Sequence, residues 1–189
     1  AALVLEYIIR VGKPKTIVVD PRRTELAKNA DLWLQLRPGT DDALALAMLH
    51  TIIEEKLYDA AFVAEWTHGF EALAERVKRY SPEWAAPITW VPAEKIRAAA
   101  RLYAATKPSM MEWGCAIEHT PNTIQTVRAI SMLPALTGTI DVPGGWVFGM
   151  KGLGRFPSLI ENLTPEMNAK RLGADRFKML AGEGADLPA

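Results

Sequence analysis

The chain has 189 residues, 49% hydrophobic and 23% charged, which suits one globular domain with a real core, or one domain plus an appendage. Its 22 basic and 22 acidic side chains cancel, which argues against binding nucleic acid by bulk charge. Three histidines and one cysteine exclude an internal disulfide and a four-ligand metal site of the usual kind, and no apolar run approaches the roughly 18 residues of a membrane span.

In chain order, "AALVLEYIIR" spaces its apolar side chains as a helix does, and "VGKPK" breaks that helix at Gly12 and Pro14. "TIVVD" is a short β-branched run that predicts a strand buried on both faces, as in a parallel sheet. "RRTELAKNA" predicts a brief helix and "DLWLQL" a second strand. "RPGTDDALALAMLHTIIEEKL" carries the strongest helix signal. Thr40 stands where a cap belongs, Asp41 and Asp42 fall in the first turn, and an apolar face runs through Leu44, Ala47, Met48, Ile52 and Leu57. "DAAFVAEWTHGFEALAERVKRY" is helical with a break near Gly69, and "SPEWAAPITW" predicts a loop with at most a turn of helix. "VPAEKIRAAARLYAAT" predicts a helix with Pro92 near its first position, where the missing N–H costs nothing. "KPSMMEWGC" predicts a third strand, "PNTIQTVRAISMLPALTG" a helix ending at Gly138, and "TIDVPGGWVFGMKGLG" an ordered glycine-rich loop. The tail holds one expected helix at "ADRFKMLAG".

Strands alternating with helices predict a three-layer α/β domain, a mainly parallel sheet with helices on both faces, like dinucleotide-binding domains. It is expected over residues 1–150, with 151–189 a helical or irregular extension. The chain opens within a helical pattern and closes on small polar residues, so it is expected to be a piece of a longer protein. Such sheets bind ligands beyond the carboxyl ends of their strands. Asp20 and Gly114 are expected at strand ends, and Asp41 opens the helix after another.

A carboxylate at a strand end beside a helix start can hold a ribose diol by accepting from two hydroxyls. Asp20 fits that position, and an Asp-Pro pair that only starts a turn fits it equally. Guanine offers two adjacent donors on one edge, and a carboxylate offers two acceptors at matching separation. Asp41 can therefore read guanine and reject adenine. The alternative is that Asp41 and Asp42 only complement the helix dipole, worth roughly 0.3–1 kcal/mol each. Asp31, Trp33, Arg37 and the arginines of "KIRAAARLY" read as structural.

Three ordered motifs, "VVDPRRTELAKNADLWLQLRPGTDDALALAM", "WGCAIEH" and "LTGTIDVPGGW", strongly resemble the molybdopterin oxidoreductases of the dimethyl sulfoxide reductase family. The resemblance covers about residues 10–150. That family includes formate dehydrogenases, nitrate reductases, polysulfide, thiosulfate and arsenate reductases, and a tungsten-dependent acetylene hydratase. "LGADRFKML" is similar to the hydratase-like branch. The resemblance implies a domain that grips one molybdopterin guanine dinucleotide carrying Mo or W. Asp20, Pro21 and Arg22 would lie along the nucleotide ribose and phosphate. Gly39, Thr40 and Asp41 would form the guanine pocket, with Gly39 letting backbone approach a planar ligand. In "WGCAIEH", where Gly114 precedes Cys115, family members often carry a small or sulfur-bearing residue and, four positions later, a glutamine. Both contact the pterin near the metal, and they match Cys115 and His119. Histidine here adds a group that can change charge near neutral pH; the other reading is a surface histidine at a turn. Gly144 and Gly145 would pass close to the pterin.

Whole family members begin with a cysteine cluster holding a 4Fe-4S centre, then supply the metal's protein ligand, and end in a β-rich domain. None of these is expected in the 189 residues, so no catalytic or metal-ligating side chain is assigned and the fragment alone is expected to be inactive. The implied partners are the cofactor, the remaining domains of the same chain and an iron–sulfur electron-transfer subunit. Two other classes fit the residues: a generic nucleotide-binding module, and a cofactor-free structural relative in a respiratory complex.

Overall fold

A computed structural model describes residues 11–147 and 162–170. Strand β1 (Ile17–Val19) runs parallel to β2 (Leu32–Leu34), with Ile17 opposite Leu32 and Val19 opposite Leu34. Helix α1 (Glu25–Asn29) makes the crossover, and Thr24 caps it by accepting from the Ala27 amide. Beyond the sheet the body is helical. Helices α2 (Asp41–Glu54), α3 (Ala60–Trp66), α4 (Phe70–Val77), α5 (Pro82–Thr89), α6 (Ala93–Ala105), α7 (Cys115–Glu118) and α8 (Thr123–Thr137) follow in chain order.

Of the expected parallel sheet, the described residues form two strands within a mostly helical α/β body. "KPSMMEWGC" makes no strand, because its backbone meets no ladder partner among the described residues. Nor is β1 covered on both faces, since Val19 is 42% exposed. "SPEWAAPITW" is also corrected, from loop to helix α5. Ser81 accepts from the Trp84 amide, Pro82 takes the first turn and Glu83 complements the dipole, and these start signals outweigh the one backbone bond that Pro87 cannot donate. Pro92 stands at the cap of α6 rather than inside it.

The central element is α2. Instead of one apolar face it buries residues nearly all round, including Leu44, Ala45, Met48, Leu49 and Ile52. That follows from its neighbours, since α4, α5, α6 and α8 all pack against it. Leu34 of β2, Ile96 of α6 and Leu133 of α8 complete the same core, each less than 2% exposed. A side chain of this kind contributes about 1.5–3 kcal/mol through its removal from water. A second, smaller cluster joins Ala45 of α2, Ile117 of α7 and Ala129 and Ile130 of α8. It seats the "WGCAIEH" turn against the first turns of α2. Polar ties reinforce the helical packing: Arg101 of α6 donates twice to Glu55 just past α2, and His50 of α2 bonds the Val77 carbonyl of α4.

The first compact unit runs Ala1–Phe148 and the second Gly149–Ala189. Within the second, α9 (Pro165–Ala169) is capped by Thr164, which accepts from the Met167 amide. The helices expected at 1–10 and at "ADRFKMLAG" lie outside the described residues.

Candidate cofactor site

The parallel pair sends β1 and β2 out at the same end, and both expected carboxylates follow them. The Asp20 amide donates to Leu34 O at 3.2 Å, and the Trp33 indole N–H donates to Asp20 O at 2.9 Å. Gln35 then donates to Pro21 O, so the turn after β1 is laced to the end of β2. One Asp20 oxygen, Oδ1, accepts from the Arg22 amide at 2.7 Å. This is an Asx turn, the local role that the sequence left open, and it leaves Oδ2 without a hydrogen bond among the described residues. Pro21 and Arg22 are exposed.

From β2 the chain passes through Arg37 and Gly39 to α2. Gly39 has φ +77° and a Cβ there would meet nothing within 4 Å, so backbone conformation and open space coincide. Thr40 occupies the cap position of α2 but does not cap it: its hydroxyl turns back to donate to Arg37 O at 2.7 Å. The capping role expected of its side chain is therefore corrected, because the Arg37 carbonyl three residues earlier claims the hydroxyl.

The two acids that follow part company. Asp42 accepts from the Ala43 amide at 2.8 Å and from the Asn122 amide group at 2.6 Å, tying the start of α2 to the start of α8 across 80 residues of sequence. No local sequence signal announces Asn122. Asp41 makes no hydrogen bond to another residue among those described. Burial is the main cause that holds its carboxyl above the ordinary range; its own amide opposes this and the charge of Asp42 adds to it. A half-buried carboxylate with no hydrogen bond to another described residue, at the positive end of a 14-residue helix, is equipped to accept hydrogen bonds from a ligand.

Gly114 opens α7 in extended conformation rather than ending a strand, as had been expected. Cys115 and His119 are exposed, and the His119 amide closes the single turn on Cys115 O at 3.0 Å. Spacing of four residues sets the two side chains on one side of that turn. The turn lies near the start of α2, through the cluster that Ile117 shares with Ala45, Ala129 and Ile130 and through the Asp42 to Asn122 bond at the start of α8. The loop after α8 is held to the segment before α7, because Trp146 donates to Met111 O at 2.7 Å and packs against Trp113. A Cβ on Gly145 would stand 2.3 Å from Thr139 O, so close approach within this loop explains that glycine.

Of the segments expected to act together, 39–41 leads into α2 and 114–119 lies near its first turns, while 20–22 is tied to the end of β2. Asp31 is structural as expected, accepting from the Thr16 amide and pairing with Lys15. A depression of about 320 Å³ away from the candidates lies along Tyr58, Val63, Thr67 and Phe70.

A family model described as "Molybdopterin oxidoreductase" matches residues 4–185. The chain is 38% identical over 174 residues to acetylene hydratase of Syntrophotalea acetylenica, covering 90% of this chain and 24% of that protein. It is 44% identical over 152 residues to formate dehydrogenase H of Escherichia coli K12, covering 79% of this chain and 21% of the other. The solved structure of acetylene hydratase from Pelobacter acetylenicus superposes with a TM-score of 0.68 at 43% identity, covering 71% of this chain and 18% of that one. The chain therefore spans between a fifth and a quarter of the length of these curated relatives. Motifs, fold and matches agree: the chain belongs to the molybdopterin oxidoreductase family.

Proposed function

We propose that this chain is the part of a molybdenum- or tungsten-dependent catalytic subunit that holds the guanine nucleotide of a molybdopterin guanine dinucleotide. Residues 1–150 form the cofactor domain, and 151–189 begin a segment leading to the rest of the protein. The two-stranded sheet belongs to a wider three-layer sheet that further segments of the full-length protein complete. The observation that carries the reading is Asp41, a half-buried carboxylate with no hydrogen bond to another described residue, next to a neighbour whose two oxygens each accept one.

Asp41 accepts from the ring N–H and the exocyclic amino group of guanine, while Gly39 and Thr40 shape the backbone beside the base. Asp20 offers Oδ2 to the ribose hydroxyls, with Pro21 and the exposed Arg22 toward the phosphates. Gly114, Cys115 and His119 stand toward the pterin. Cys115 does not ligate the metal in this reading; the ligand and a 4Fe-4S cluster belong to other parts of the full-length chain, and an iron–sulfur subunit is its electron-transfer partner. When bound, the cofactor supplies the redox or hydration chemistry, and the protein binds, orients and shields it.

Calorimetry with GDP and ADP tests this. Wild type is expected to prefer GDP, and Asp41→Asn to remove the preference while residual binding survives. A charged bidentate pair is worth roughly 1.5–3 kcal/mol, so the loss of selectivity is about tenfold or more. Asp20→Ala, by contrast, should weaken both nucleotides alike. Equal binding by wild type, or a preference that survives Asp41→Asn, would reduce Asp41 to a helix-starting charge.

A further inference from the structure

Trp90 is the residue whose conformation and exposure the fold does not explain. It ends α5 in the left-handed region at φ +64°, a conformation suited to glycine, and its amide closes the helix on Ala86 O at 2.9 Å. Bulky side chains seldom adopt that backbone. When they do, burial commonly compensates, yet Trp90 is 66% exposed. Its ring is not adrift, however. The Arg37 guanidinium lies 5.5 Å from the ring centroid. The Arg37 amide donates to Thr89 O at 2.8 Å, which fixes the Trp90 backbone to the turn after β2. Through Arg37 O, the same turn holds the Thr40 hydroxyl, one residue before Asp41.

We propose that Trp90 and Arg37 form an aromatic–guanidinium ledge on which the purine base of the bound nucleotide stacks, with Asp41 reading its edge. This rests on the nucleotide site proposed above and adds a second contact of different physics to it. A ring that keeps most of its surface open, backed by a cation on a rigid turn, presents a flat face at small entropic cost. Stacking does not distinguish guanine from adenine, because every base has a π-face, whereas the carboxylate does. The ledge therefore sets affinity and Asp41 sets selectivity.

The two contributions separate experimentally in the 189-residue chain. Trp90→Gly places at φ +64° the residue that conformation favours, so the variant is expected to melt at or above the wild-type temperature. It should weaken GDP and ADP by a common factor of about ten, leaving their ratio unchanged. Trp90→Tyr, which keeps a stacking ring, should restore most of the affinity. Nucleotide addition should also quench a component of tryptophan fluorescence that Trp90→Gly lacks. Wild-type affinity for both nucleotides in Trp90→Gly, with the guanine preference intact, overturns the ledge and leaves the Asp41 reading standing. A common loss of affinity from a wild type that shows no guanine preference keeps the ledge and overturns Asp41. Absence of any nucleotide binding by wild type overturns both.

Discussion

Burial is the largest influence on the Asp41 carboxyl and raises it above its ordinary value of 3.8, with the nearby Asp42 charge acting in the same direction. A raised folded-state value means that folding favours the protonated acid. The stabilisation this brings is fully present below the ordinary carboxylate range and is lost as pH rises through the higher folded value. At neutral pH the charge is therefore a cost to the fold. Asp41→Asn is expected to melt above wild type at pH 7 and to match it near pH 3; calorimetric scans at the two values decide. A lower melting temperature at pH 7 would mean that the helix dipole outweighs desolvation. Asp42 lies beside it in sequence and carries the same charge, yet its two bonds make it a tie between α2 and α8.

Elements in this fold are joined by single polar residues at their ends, and Asp59 shows how such a joint is apportioned. It caps α3 by accepting from the Phe62 amide at 3.0 Å, pairs with Lys107 at 2.9 Å, and leans on Gly138 at the end of α8, where a Cβ would come within 3.1 Å of its Oδ2. The cap bond is the first cause that holds its carboxyl below the ordinary range, ahead of Lys107. Losing an N-cap costs about 1 kcal/mol, whereas a solvent-exposed ion pair contributes about 0–1 kcal/mol. Asp59→Ala should therefore cost more than Lys107→Ala, with a coupling between them below about 1 kcal/mol in a urea double-mutant cycle. A Lys107→Ala cost equal to that of Asp59→Ala would give the joint to the ion pair instead. At this scale the sequence read most of the described helices correctly, because a cap, an acidic first turn or a terminal glycine is local chemistry. It missed α5, where an internal proline hid a strong start signal, and it drew a strand at "KPSMMEWGC" that needs a neighbour to exist.

Across the whole molecule, no group of three or more metal-capable side chains forms among the described residues, and the chain covers less than a quarter of the relatives named above. The purified 189-residue chain is accordingly expected to show no dye-linked oxidation or reduction of formate or sulfoxide. Metal-dependent turnover by it would place the redox centre within these residues. The sequence by itself determined the family and most of the described helices, since ordered motifs and capping residues are written in consecutive positions. It left Asp20 and Asp41 each with two readings, because spacing cannot report which oxygens are already engaged. Tertiary structure decided that. It bound Asp42 to Asn122 from 80 residues away and left Asp41 half-buried, with no hydrogen bond to another of the described residues. It also set Trp90 against Arg37. The Asp42 to Asn122 and Arg37 to Trp90 pairings join residues distant along the chain, and the packing of α2 against α5 and α8 brings them within hydrogen-bonding or stacking reach.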